Sequence, residues 1–117
     1  MALDVDAVVT AIKDAASNIL NTDIATFKGF SERQAKTMAQ QAKLVATGIA
    51  TGEITAETQD FFLDGLKDMA LSFANTLAGL VVVTIEKIWN AVVGVLWNAI
   101  SDAAGIALPI PHLALSD

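Results

Sequence analysis

At 117 residues the chain is long enough for one domain with a buried core and too short for two. Apolar residues make up 54% and charged residues 17%, so the chain carries more apolar surface than a small monomer easily hides, and global disorder is excluded. The absence of cysteine excludes disulfide scaffolds, thiol chemistry and cysteine-based metal sites, a single histidine leaves no histidine-rich centre, and a net charge of −6 argues against nucleic acid or anionic lipid held by charge.

The opening MALDVDAVV has no basic segment and places Asp4 and Asp6 ahead of any apolar run. A secretory signal is therefore not expected, and synthesis in the cytoplasm is the default. Val5, Val8, Ile12, Ala16, Ile19, Leu20, Ile24 and Phe27 then recur at three- and four-residue spacing, with Lys13, Asp14, Ser17, Asn18 and Asn21 on the other side. This pattern predicts an amphipathic helix over about residues 4–28, interrupted at Gly29, the usual residue type where a helix turns left-handed. Ser31, with Gln34 three residues on, has the spacing of a capping box.

A second helix is predicted over 32–51. Ala35, Met38, Ala42, Val45 and Ile49 repeat in a heptad seam, and alanine there implies close approach to a neighbour, while Arg33, Lys36, Gln40, Gln41 and Lys43 form the wet face. Gly48 and Gly52 close it, and neither fits a phosphate-binding loop. From the N-cap candidate Thr55 to about residue 104 there is no proline, so one long helix over 55–104 is the simplest reading. The β-branched run LVVVTI (80–85) has strand propensity but no strand partner elsewhere, and is read as helix.

That third helix is apolar on most sides. Asp60, Asp64, Asp68, Ser72, Asn75, Gly79, Glu86 and Asn90 draw a narrow polar or small stripe, flanked by large side chains from Phe61 to Leu96. At 1.5 Å per residue it would span roughly 75 Å, against about 36 and 30 Å for the first two helices, which therefore cannot sheath it. The segment IWNAVVGVLWNAI (88–100) is expected to project and to seek a copy of itself, another subunit or a membrane. Its interface candidates are Leu80, Ile85, Ile88, Trp89, Val92, Leu96, Trp97 and Ile100, with Glu86, Asn90 and Asn98 as interhelical polar groups. On this reading Leu96→Asp should split the assembly and leave the first two helices folded.

A membrane reading draws on the seventeen uncharged residues 69–85, or on a hairpin of 69–85 and 88–108 turning near Glu86 and Lys87. It lacks a flanking basic cluster, and no glycine or proline beside Glu86 forces the turn. Asp60, Asp64 and Asp68 share a helix face but read as a solvated stripe, with no histidine to make a metal or acid–base site. His112, in PIPHLAL, has no visible nucleophile to serve. Pro109 and Pro111 favour an extended tail like a docking peptide.

The sequence thus predicts an all-α protein: two amphipathic helices followed by one long, mostly apolar helix, in a single helical domain (1–108) with a proline-containing tail (109–117), assembled as an oligomeric helical bundle. The expected role is a non-enzymatic structural subunit, such as a virion, injection-machine or filament component. Its partners are itself or other subunits, with no cofactor, metal or nucleic acid. The alternative is a membrane-active protein inserting residues 69–108.

Overall fold

A computed structural model describes residues 3–21, 30–78 and 82–113. Four helices follow one another, α1 (Val5–Leu20), α2 (Phe30–Thr51), α3 (Ala56–Ala78) and α4 (Val82–Ala104), with no strand among the described residues. The all-α expectation holds, but there are four helices rather than three. The described part of the β-branched run, Val82 to Ile85, opens α4.

The first helix is shorter than its apolar periodicity suggests. Asp4 caps it, its Oδ1 accepting from the Ala7 N–H at 3.3 Å. Asn21 ends it in the left-handed region (φ 53°, ψ 36°), donating its N–H to the Ser17 carbonyl. Asparagine enters that region more readily than most side chains, and this stop overrides the continuing apolar pattern. Ile24 and Phe27, expected on the same face, lie outside the described residues, as does the side chain of Ser31. The second helix begins one residue before that expected cap, at Phe30.

The predicted 55–104 helix is two helices. It ends as α3 at Ala78 and resumes as α4 at Val82, so the reversal lies between these two residues and not near Glu86. A glycine inside a helix costs about 1 kcal/mol relative to alanine, a weak local signal. Folding back lets each half cover the other's apolar face, and each large side chain so buried is worth about 1.5–3 kcal/mol. Burial outweighs helix continuity.

The helices run up-down-up-down. Lys13 of α1 meets Glu32 of α2, Nζ to Oε1 3.2 Å, while Val5 lies beside Leu44 and Gly48 at the far end of α2. Thr47 of α2 and Phe62 of α3 line one groove between these helices, and Met38 and Met69 another. Across the last hairpin, the Trp89 indole N–H donates to the Lys67 carbonyl at 3.0 Å. The N-terminus of α1 packs near the C-terminus of α4, Leu3 and Val8 beside Ala99 and Ala103.

α2 and α4 each touch all three other helices, with α1 and α3 to either side, in a flattened bundle of 39 × 32 × 17 Å. Residue size explains this. The inward row of α2 is Ala35, Met38, Ala39, Ala42, Val45 and Ala46, all buried, and short side chains let the α4 backbone come close. α4 supplies the bulk in return: Ile85, Ile88, Trp89, Val92, Val93, Leu96, Trp97 and Ile100 are buried against Phe73 and Leu66 of α3 and Ile12 of α1 in one core. Lys87, Asn98 and Asp102 remain on its exposed side.

The α2–α3 corner has its own chemistry. Gly52 takes φ +83°, and the Ile54 N–H reaches back to the Gly48 carbonyl at 2.9 Å. This lays the Ile54 side chain over Gly48, where a Cβ would lie 2.5 Å from Ile54 Cδ1. Thr55 then starts α3: its carbonyl accepts from the N–H groups of Thr58 and Gln59, and its own N–H donates to Thr58 Oγ1 at 3.0 Å.

Candidate interaction surface

The side chains expected to form an exposed apolar interface are inside the chain. Ile85, Ile88, Trp89, Val92, Leu96, Trp97 and Ile100 are all buried, Leu96 at 0% exposure, and Leu80 lies outside the described residues. A projecting segment requires a continuous third helix, and the α3–α4 hairpin removes the projection. Among the described residues no helix is long and apolar enough to cross a membrane.

The polar candidates separate. Asn98 is exposed on the outer side of α4, and Glu86 is half-buried and engaged in an interaction. Asn90 is built into a contact with the tail, not with another helix. Its Oδ1 accepts from the Leu113 N–H at 2.8 Å, its Nδ2 donates to the Leu113 carbonyl at 3.3 Å, and Nδ2 lies 3.5 Å from His112 Nε2. One side-chain amide therefore satisfies both backbone groups of a residue in extended chain, as a neighbouring strand would. Between Gly105 and Leu113 the tail returns along the α3–α4 side, where Leu108, Pro109 and Pro111 line a cavity together with Gln59, Asp60, Leu63, Lys67 and Trp97.

Asp60, Asp64 and Asp68 are exposed on α3, Asp64 paired with Lys67 at 3.3 Å one turn on. No group of His, Asp and Glu among the described residues is arranged to hold a metal ion.

The two most exposed large apolar side chains described are instead at the α2–α3 corner. Phe61 is 76% exposed and Leu44 66%. Beside them Val5, Leu44, Ile54 and Phe62 line an open groove of ≈ 830 Å³, with Gln40, Lys43, Thr47 and Glu53 on its walls. Phe61 stands edge-on to Phe62, ring centroids 5.3 Å apart. Sequence reasoning passed over this surface, although it left a signal: Leu44 falls next to Lys43 on the wet face of α2, outside the heptad seam. Comparison with family models, curated proteins and solved structures finds no match to this chain.

Proposed function

We propose that the chain is a non-enzymatic assembly subunit that packs with copies of itself, the kind of small helical part a virion, an injection machine or a filament requires. The observation that carries this reading is the α2–α3 corner, where two large apolar side chains stand open to water beside an apolar groove. Exposed side chains of this kind contribute little to the stability of a monomer, and contiguous apolar surface rimmed by polar groups is the mark of a contact. α4, in this reading, is the rigid core that holds the corner in shape.

A second copy suits the groove by charge. Lys43 and Glu53 are both exposed on its walls, ten residues apart along the chain, and neither has an ion-pair partner among the described residues. A two-fold contact in which α2 crosses its copy antiparallel brings the lysine of each towards the carboxylate of the other.

Light scattering on the eluting full chain tests this. The wild type is expected as a discrete oligomer, and the pair Leu44→Ser with Phe61→Ser as a monomer of unchanged helicity. A wild-type monomer throughout the micromolar-to-millimolar range would overturn the reading, and recovery of the chain with floated liposomes would put membrane insertion in its place.

A further inference from the structure

We infer that the groove between α3 and α4 is a binding site for an extended, proline-containing segment, filled within one chain by its own residues 106–113 and filled in an assembly by the same segment of a second copy. The clasp is Asn90, whose amide bonds both backbone groups of Leu113. Leu63, Lys67 and Trp97 line one side of the groove and Leu108, Pro109 and Pro111 the other, with Leu108, Pro111 and Leu113 half-buried and Pro109 exposed. Recognition of a segment through its backbone groups, with apolar side chains laid along a groove, is a peptide-binding mode. Prolines suit it because they hold the segment extended before it docks.

Dimensions agree with a strap that can serve either chain. From Asn90 to Ala104, α4 rises about 21 Å. Eight extended residues from Ile106 to Leu113 reach about 26 Å, enough to run back from the end of α4 to Asn90. The hinge is Gly105, exposed, at φ +71°, with open space where a Cβ would stand. Its N–H and that of Ile106 both return to the Ser101 carbonyl, at 2.9 and 3.2 Å, which fixes the exit of the tail from α4. Rotation at this one glycine turns the strap outward, and every contact it made at home is available on a neighbour, because each copy carries both the groove and the segment.

Concentration decides between the two. A short tether holds the segment at an effective concentration of about millimolar, so a dilute chain closes on itself. Copies packed in an assembly reach comparable local concentrations, and exchange then costs only the reopening of the hinge. This inference rests on self-association as the chain's role but uses a different surface from the α2–α3 corner.

The absence of cysteine makes a direct test possible. Asp60 lies on the groove wall, and the exposed Ile110 sits between Pro109 and Pro111. Full-length chains carrying Asp60→Cys or Ile110→Cys are mixed at equal amounts and treated with a short bismaleimide, and covalent dimers are counted on a denaturing gel. Exchange predicts that the mixed groove-to-tail dimer exceeds both like-with-like dimers at least fivefold, rises with concentration, and falls at least fivefold when the groove chain also carries Asn90→Asp. That replacement keeps the shape of the side chain while setting an oxygen against the Leu113 carbonyl. A chain carrying both cysteines provides the reference for closure at home. Cross-linking within that chain alone, in a sample that light scattering shows to be oligomeric, would overturn exchange while leaving the assembly reading intact. A statistical mixture of covalent dimers would overturn it equally.

Discussion

α4 and the α2–α3 corner are opposites in how composition relates to exposure. α4 is the most apolar of the four described helices; from Ile85 to Ile100 its large apolar side chains are buried except the half-buried Val95, and Val82 and Val83 in its first turn stand open. The corner joins α2, which is polar or alanine over most of its length, to an α3 first turn rich in hydroxyls and carboxylates, yet it holds the two most exposed large apolar side chains described. Apolar density therefore does not locate a contact surface. What remains uncovered after the helices have covered one another does.

The sharpest way to break this comparison is to place the same kind of change in both regions. Leu96→Asp puts a charge among Ile88, Val92 and Ile100 with no partner, a cost of several kcal/mol that is a large part of the stability of a domain this size. Circular dichroism is expected to show the whole chain unfolded, the reverse of what a projecting helix would give. Leu44→Ser with Phe61→Ser should leave the melting temperature nearly unchanged and remove only the association. If the two outcomes were exchanged, core and contact surface would be exchanged as well.

A smaller effect sharpens the shape of the corner. Gly48→Ala adds a methyl group where Ile54 Cδ1 and Cγ1 lie 2.5 and 2.6 Å away, so the side chain that lines the groove has to move. A loss of about 1–3 kcal/mol is expected from overpacking, partly offset by about 1 kcal/mol of better helix propensity, and chemical denaturation measures the difference. Weakened association beyond what the stability change explains would tie the groove's shape to the contact. Smallest is Trp89→Phe, which removes the indole N–H from the Lys67 carbonyl and keeps most of the apolar bulk. A loss of about 0.5–1.5 kcal/mol is expected, with no change in oligomer size.

Much of the fold was legible in the residues. The heptad row Ala35, Met38, Ala42, Val45 and Ile49 marked a closely packed face, and the first four are buried while Ile49 is half-buried. Thr55 was readable as a helix start because a threonine beside Ala56 and Glu57, with Thr58 three residues on, offers side-chain and backbone partners to the first turn. The reversal between Ala78 and Val82 was not, since a single glycine in that stretch of sequence is tolerated in many helices and the fold-back depends on cover from other helices, which no local window contains. The early stop at Asn21 escaped for a related reason: the apolar spacing continued past it.

The tail shows the same division. Pro109 and Pro111 announced an extended segment of docking type, but that its site lies on the same chain depended on Asn90 and Trp97 reaching the α3–α4 side, a placement that exists only after the hairpin forms.

Sequence by itself determined the helical class, the narrow wet stripes, the absence of thiol chemistry and the excess of apolar surface, because each follows from residue type and spacing within a turn or two. Tertiary structure alone decided which apolar surface stayed open. That outcome depends on which helix lies beside which, and one reversal of the chain between Ala78 and Val82 turned the most apolar segment into the core and left a few side chains of a polar corner facing water.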